Sequence, residues 1–297
     1  MVASVAMVHP APQVDPVAVL KARRAAIDEV ASAIEHLGPG ADPEVVAAVV
    51  GQALSTPELE FLVSLEGGSE RLVSQSVEEY MRFTRSIASN AISGAGLVRI
   101  LLLQNIDLAW WDHEIDLETD RDVREAPDLL DLRKERRAGR VDFGFGVASD
   151  GLVHRTRDFI IQRAFPGREP RGPGLPFVAI RPAMLGLLNE LAAVTATFAP
   201  EGTPPIWVNS ISRSVEHQHR LKALGFSALH PSAHCRGWAA DIEVGWFARF
   251  GADDVLRDVL MDYLERGILN VIDEGRAWHV CLSPDHVAHF ADRQSGR

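Results

Sequence analysis

One short stretch of this chain, PSAHCRGWAADIEV at residues 231–244, places metal-binding side chains at close spacing. His234 and Asp241 are separated by six residues, and Gly237 lies between them, so the chain can turn there and return the carboxylate towards the imidazole. A catalytic zinc site uses three protein ligands and leaves one position open for water. His279, in the segment RAWHVCLS, can supply the third ligand.

Two further patterns accompany these candidate ligands. The first is Ser-x-His-x-x-Gly-x-Ala-x-Asp, formed by Ser232, His234, Gly237, Ala239 and Asp241. The second is Arg-Ser-x-x-x-Gln-x-x-Leu, formed by Arg213, Ser214, Gln218 and Leu221. With His279 followed by Val280, the chain resembles the zinc peptidases of the D-alanyl-D-alanine carboxypeptidase and dipeptidase type, whose fold is shared with the Hedgehog signalling domain. The resemblance covers about residues 177 to 284.

The resemblance implies a fold, a cofactor and a reaction. The fold is α+β, with a small, mainly antiparallel sheet in a Hedgehog-like carboxy-terminal domain. His234, Asp241 and His279 are expected to bind Zn²⁺, and the expected reaction is hydrolysis of a peptide or amide bond by metal-activated water. The implied partner is a small peptide or peptide-like substrate, such as one that contains D-alanine or has a free carboxy terminus.

The proton-transfer residue departs from the family pattern. Many relatives place a catalytic glutamate three residues before the last histidine, where this chain has Arg276. The nearest acids are Asp273 and Glu274. We expect Glu274 to be the general acid and base, because some relatives place the glutamate farther back, and Asp273 is the alternative.

Four further side chains receive roles from the same resemblance. Arg213 is expected to bind a substrate carboxylate or to stabilise an oxyanion, because its planar guanidinium suits paired oxygens. Its alternative role is that of an exposed residue paired with Glu216. Ser232, Ser214 and Gln218 are expected to contact the substrate or to support the ligands through hydrogen bonds.

Two other functions are compatible with the same metal residues. One is a zinc-dependent biosynthetic enzyme that acts on a peptide-like metabolite. The other is a zinc-stabilised binding module that has no catalytic activity.

The two cysteines, Cys235 and Cys281, lie close in sequence to two of the candidate ligands. They could form a disulfide, take part in an altered metal site or pack as small apolar residues. Packing is favoured, because buried free cysteines commonly pack in this way and two cysteines are too few for a disulfide scaffold.

The elements that position these residues can be predicted from periodicity and turn residues. Apolar residues recur at helical spacing in residues 19–38, 42–54 and 69–92. Residues 1–140 are therefore predicted to form a helical region without an assigned role. Residues 141–176, which end in a stretch rich in proline and glycine, are predicted to be a loop-rich linker.

Residues 177–297 alternate between helical and strand patterns and form the predicted zinc peptidase-like domain. Helices are predicted at about 182–197, 214–225 and 253–267. Strands are predicted at 205–210, 238–244, 268–273 and 277–283. A tight turn at Glu274 and Gly275 joins the last two strands.

Charge and hydropathy exclude several classes of partner. The net charge of −11 disfavours binding to nucleic acid. The apolar start of the chain is interrupted at His9 and Pro10 before it reaches the length of a signal-peptide core. Arg99 and Asp107 interrupt the longest apolar run, GLVRILLLQNIDLAWW, so this run is not predicted to span a membrane. We therefore expect a cytoplasmic protein that binds neither nucleic acid nor a membrane.

The acidic stretch at residues 112–122 lacks the glycine and the oxygen-ligand spacing of a calcium loop. We expect it to be solvated surface.

Overall fold

The computed structural model describes residues 15–83, 91–148, 174–224 and 230–295. These residues combine many helices with two small antiparallel sheets, which confirms the predicted α+β class. Within them, every helix is either too short or too polar to cross a lipid bilayer.

The amino-terminal region is helical, as the periodicity predicts. Its elements are α1 (Pro16–Leu37), α2 (Pro43–Ala53), a short 3₁₀ helix (Glu60–Ser64), α3 (Gly68–Arg82) and α4 (Gly94–Trp110). The first two begin alike: Asp15 and Asp42 each accept a hydrogen bond from a backbone N–H of the first turn, and a proline follows each of them. The predicted third helix was too long at its end, since α3 stops at Arg82 and residues 84–90 lie outside the described part of the chain.

Helix α4 is the central helix of this region. It carries the apolar run that resembles a membrane span in length, and nearly all of its residues from Gly94 to Leu108 are buried. Helices α1 and α3 pack against it, and its end is fixed by Trp111, which stacks on Trp238 at a ring distance of 3.9 Å. A helix that is buried over most of its surface is apolar over most of its surface, which explains its composition.

Short elements connect the two halves of the chain. They are α5 (Asp120–Glu125), β1 (Leu130–Asp131), α6 (Leu132–Arg137) and β2 (Ala179–Ile180). Strands β1 and β2 pair antiparallel. The described ends of the predicted linker also pack on the carboxy-terminal core, through Phe143, Phe145 and Leu175, whereas residues 149–173 lie outside the described residues.

The carboxy-terminal half contains the larger sheet. Its strands are β3 (Val208–Ser210), β4 (Ala239–Glu243), β5 (Leu269–Asp273) and β6 (Ala277–Leu282), arranged in the order β3-β4-β6-β5 with antiparallel neighbours throughout. Its helices are α7 (Pro182–Phe198), α8 (Val215–Ala223), α9 (Gly245–Ala248), α10 (Asp253–Glu265) and α11 (Val287–Ser295), with 3₁₀ helices at Ala233–Arg236 and Pro284–His286. The predicted strands and the predicted turn between β5 and β6 are confirmed.

The two faces of this sheet have different neighbours. Residues paired across antiparallel strands point to the same face, and successive residues alternate between faces. Ile272, His279 and Asp241 are paired in this way, and Ile272 belongs to the apolar cluster of the helical region. The opposite face, with Val271 and Val280, belongs to the carboxy-terminal core. The candidate ligands on β4 and β6 therefore face the amino-terminal helices.

Candidate metal centre

The two central strands bring two of the predicted ligands together. Asp241 on β4 lies directly opposite His279 on β6 in the antiparallel register. Cross-strand partners have their Cβ atoms about 5 Å apart, so this register alone makes the carboxylate and the imidazole neighbours.

A tight 3₁₀ turn carries the third predicted ligand, His234. Ser232 caps the turn Ala233–Arg236 by accepting a hydrogen bond from the backbone N–H of His234. Gly237 ends the turn with a φ of +76°, a conformation that favours glycine. A Cβ at this position would also lie 3.2 Å from Ser212 Oγ and from Arg181 Nε. The glycine in the sequence pattern is therefore needed for both the turn and the close packing around it.

The three ligand atoms converge on one point. His234 Nε2 and His279 Nδ1 each lie 3.1 Å from Asp241 Oδ1. All three atoms lie within 4.8 Å of one another, and all three residues are buried. In a tetrahedral site with ligands about 2.0–2.1 Å from the ion, neighbouring ligand atoms are about 3.3 Å apart. This buried group can hold a metal ion.

The atoms that face away from this point also have partners. His234 Nδ1 lies 2.8 Å from the backbone oxygen of Ile211, which accepts its ring proton. His279 Nε2 lies 3.0 Å from Asp107 Oδ2 on α4. Such outer contacts fix the orientation of imidazole ligands. Each ring therefore directs its other nitrogen towards the point where a cation would bind.

The electrostatic state of the trio follows from burial and from neighbouring charges. Burial and the Arg213 charge lower the pKa of His234 to about 4. Burial also disfavours the charged form of His279, but hydrogen bonds to Asp107 and Asp241 outweigh it and raise its pKa to about 10. Burial would raise the pKa of Asp241, yet the charges of His234 and Arg213 hold it well below its usual range. Binding of a cation would therefore displace a proton from His279.

Glu274 and Asp273, the two candidate bases, point in different directions. Glu274 is buried, and its Oε1 accepts a hydrogen bond of 2.8 Å from Gln104 Nε2 on α4. Burial, together with the negative charge of Asp241, raises the pKa of Glu274 to about 7. Asp273 is exposed and accepts a hydrogen bond from the backbone N–H of Gly275 in its own turn. Glu274 is thus the acid on the side of the ligands.

Arg213 lies against a ligand carboxylate. Its Nη2 donates to Asp241 Oδ2 at 2.5 Å, and its Nε donates to Ser210 Oγ at 2.7 Å. The alternative pairing of Arg213 with Glu216 is wrong as an ion pair of the described structure, because Glu216 pairs with Arg220 instead. The guanidinium is therefore held beside the Asp241 oxygen that does not contact the two imidazoles.

The remaining predicted site residues are buried and have structural contacts. Gln218 Oε1 accepts a hydrogen bond from Arg213 Nη1 at 3.3 Å. Ser214 caps α8 through the backbone N–H of His217 and donates to Asp120 Oδ1. Together with the Ser232 cap, these contacts position the segments that carry Arg213 and His234.

Both cysteines are free and buried. Burial raises the pKa of Cys235 to about 12 and that of Cys281 well above its usual range. Neither thiol belongs to the metal-binding group found among the described residues. These observations agree with the packing interpretation.

The acidic stretch at residues 112–122 was predicted to be solvated surface, and this prediction was wrong for its central part. Asp116 pairs with Arg236 of the ligand-bearing turn at 2.7 Å. The backbone N–H of Leu117 donates to the oxygen of Cys235 in the same turn. The stretch therefore packs on the turn that carries His234.

Sequence reasoning missed the contribution of helix α4. Gln104 and Asp107 are three positions apart, so they share a face of the helix, and that face points at Glu274 and His279. The available signal was the presence of polar residues in an otherwise apolar run, because buried polar groups require partners.

Two surface concavities lie elsewhere, on the helical region. One, of about 1050 Å³, lies between α2 and α3, and the other, of about 560 Å³, lies between α1 and α2. Neither is lined by a histidine or a cysteine. The candidate metal ligands therefore lie at the sheet and not in these concavities.

No protein-family model, curated protein or solved structure matches this chain. The side-chain geometry and the resemblance of the ligand-bearing segments are thus the support for a functional proposal.

Proposed function

We propose that this protein is a zinc-dependent amidohydrolase that cleaves a peptide or amide bond in a small peptide-like substrate. The observation that carries this proposal is the convergence of His234 Nε2, Asp241 Oδ1 and His279 Nδ1 at one buried point. A second acid, Glu274, is buried beside the same group.

The donor set favours zinc among the common metals. Two imidazole nitrogens and one carboxylate oxygen form a three-ligand set that leaves a fourth tetrahedral position open, as in catalytic zinc sites. Calcium and magnesium prefer sites made entirely of oxygen donors. When bound, zinc would supply a Lewis acid that lowers the pKa of water and polarises a carbonyl group.

Glu274 is the proposed general acid and base. A group that accepts and later returns a proton works best with a pKa near the working pH, and the pKa of Glu274 is raised to about 7. The hydrogen bond from Gln104 fixes the orientation of the Glu274 carboxylate beside the ligand group. Glu274 would take a proton from the attacking water and return it to the leaving amine.

Arg213 is the proposed substrate-binding cation. Its side chain is 16% exposed and that of Asp241 is 11% exposed, whereas the side chains of His234 and His279 are 2% and 1% exposed. Solvent therefore reaches the ligand group from the Arg213 side. A substrate carboxylate or a developing oxyanion that arrives there would meet a guanidinium already oriented by Ser210 and Asp241.

The substrate class follows from the resemblance and from this cation. We propose a short peptide with a free carboxylate close to the cleaved bond, with D-alanine as a candidate terminal residue. An anion near the reacting carbonyl would pair with Arg213, which is the cation closest to Asp241 among the described contacts.

The test combines metal content with product analysis. The purified protein, with zinc removed by a chelator and then restored, is incubated with a panel of dipeptides and tripeptides that end in D- or L-residues. Mass spectrometry identifies the products. We expect cleavage with zinc, loss of cleavage after chelation, and recovery when zinc is added back. His289→Ala, which changes an exposed histidine on α11, is the matched control and should retain zinc and activity.

The alternatives give different results in the same test. Full zinc occupancy without cleavage of any peptide would contradict the proposal and favour the binding module. A condensed or otherwise transformed product would contradict hydrolysis and favour a biosynthetic enzyme.

A further inference from the structure

The His279 ring is held from the side opposite the metal point by the amino-terminal half of the chain. Asp107 on α4 is fully buried, and its Oδ2 lies 3.0 Å from His279 Nε2. The two residues are 172 positions apart in the sequence. Because the carboxylate accepts the proton on Nε2, Nδ1 remains the atom directed at Asp241 Oδ1.

A third residue fixes the orientation of the Asp107 carboxylate. Asn270 on β5 donates from Nδ2 to Asp107 Oδ1 at 2.7 Å and to the backbone oxygen of Leu103 at 3.0 Å. Its Oδ1 accepts a hydrogen bond from Arg24 on α1. These partners are satisfied by only one orientation of the amide, so Asn270 presents a donor, not an acceptor, to Asp107.

We propose that Asp107 is a positioning residue of the metal centre: it selects the Nε2-protonated form of His279, so that Nδ1 is the ligand atom, and Asn270 orients Asp107 for this purpose. The inference rests on the metal site of the proposed function. It also assigns a role to the amino-terminal helical region, since α4 becomes part of the metal centre.

The geometry distinguishes this role from simple packing. A residue that only filled space would tolerate an isosteric replacement, and Asp107→Asn preserves the shape. In that variant Asn270 Nδ2 still requires an acceptor, so the new amide keeps its oxygen towards Asn270 and turns its NH₂ towards His279 Nε2. Nε2 then becomes an acceptor, the ring proton moves to Nδ1, and the ligand atom is blocked.

The same logic predicts a rescue. In the double variant Asp107→Asn/Asn270→Asp, the new carboxylate at position 270 accepts from the amide NH₂ at position 107. The amide oxygen then faces His279 Nε2 and accepts its proton, as the native carboxylate does. The total charge of the pair is unchanged, and the carboxylate at position 270 gains a charged partner in Arg24. The Leu103 backbone oxygen loses its donor from position 270, so the rescue is expected to be partial.

The experiment measures zinc affinity by competition with a chromogenic chelator. The proteins compared are the full-length wild type, Asp107→Asn, the double variant and Asn105→Ala. Asn105 is a buried polar residue of the same helix that bonds to Arg71 and Leu101 instead of the site, so it is the matched control. Thermal unfolding of the zinc-free proteins separates changes in stability from changes in affinity. Nitrogen-15 NMR of histidine-labelled, zinc-loaded wild type reports which nitrogen of His279 carries the proton.

We expect Asp107→Asn to lower zinc affinity by about 10- to 100-fold, the range typical for residues that orient a metal ligand. The double variant should recover about tenfold or more of this loss, and Asn105→Ala should match the wild type. Equal affinity in Asp107→Asn and the wild type would overturn the inference, and so would a double variant that is as stable as Asp107→Asn without zinc and recovers no affinity. If the variants do not fold, the NMR result decides: a zinc-bound His279 protonated on Nδ1 overturns it, and one protonated on Nε2 supports it.

Failure of the proposed function gives a separate result. A wild-type protein that binds zinc but hydrolyses nothing contradicts the amidohydrolase and leaves the positioning role intact. A wild-type protein that binds no zinc refutes the metal centre, and the positioning role with it.

Discussion

The two surfaces that meet at the candidate metal centre are built on different principles. The sheet and its adjoining turn carry His234, Asp241 and His279, which the sequence motifs and the family resemblance predict as ligands. The facing surface of α4 supplies Gln104 and Asp107, which belong to no recognisable motif. The sheet surface therefore carries the candidate ligands, and the α4 surface contacts one of them and the candidate base.

This difference shows why a ligand motif is an incomplete description of a metal site. Each imidazole has one nitrogen that can face the ion and another that needs a partner elsewhere. For His234 the partner is a nearby backbone oxygen, at Ile211. For His279 it is a carboxylate on a helix from the other half of the chain. The comparison predicts that changes of the three candidate ligands abolish function and that changes on α4 lower it by a smaller factor.

The largest effect is expected from the ligands themselves. His234→Ala, Asp241→Ala and His279→Ala should each lose most of the zinc, which is about one ion per chain in the wild type. Each change removes one of the three proposed protein ligands. Elemental analysis of the purified variants measures the occupancy, and His289→Ala is the control. Full occupancy in any two of the three ligand variants would refute this site.

The next largest effect is expected at Glu274. Glu274→Gln should keep the fold and the zinc but lower turnover by about a hundredfold or more, as is typical when a general base is removed. Asp273→Asn is the matched control, since Asp273 is exposed and bonded within its own turn. Steady-state kinetics on the cleaved peptide measure both. A result in which Asp273→Asn is inactive and Glu274→Gln is normal would transfer the role to Asp273.

A smaller effect is expected on the α4 surface at Gln104. Gln104→Ala removes the hydrogen bond to Glu274 Oε1 and should lower turnover about tenfold, since a hydrogen bond to a charged group contributes about 1.5 kcal/mol. Zinc content should stay at the wild-type level, because Gln104 contacts the base and not a ligand. Kinetics and elemental analysis on the same preparation check both statements. A loss of zinc equal to the loss of turnover would show that the two surfaces are not separable in this way.

The sequence could predict the ligand surface because its information is local. The turn at Gly237 depends on nearby residues, so His234 and Asp241 could be placed from their spacing, whereas His279 was assigned from its predicted strand and from the family resemblance. The predicted helices and strands of the carboxy-terminal half were confirmed for the same reason.

The contribution of α4 could not be predicted, because it depends on how two distant apolar surfaces dock. The apolar run of α4 revealed a buried helix but not which strand it would cover. The polar residues Gln104 and Asp107 indicated that partners must exist, and only the packing of α4 against β5 identifies them. The acidic stretch at 112–122 was misjudged in the same way, since Asp116 finds Arg236 only in the folded chain.

The smallest effect is expected at the cysteines, and it tests whether the ligand surface is complete with three residues. Cys281 lies on β6 opposite Ala239 and Asn270, on the same face as His279, and it is a free, buried thiol. Cys281→Ala should keep zinc and activity and lose about 1 kcal/mol of unfolding free energy, because it removes one small buried atom. Elemental analysis, kinetics and denaturant unfolding measure the three quantities, and Cys235→Ala is the matched control. A zinc loss confined to Cys281→Ala would add a thiolate to the ligand set and leave no open position for a substrate in a tetrahedral site. That outcome would favour a structural zinc and a binding module over the amidohydrolase.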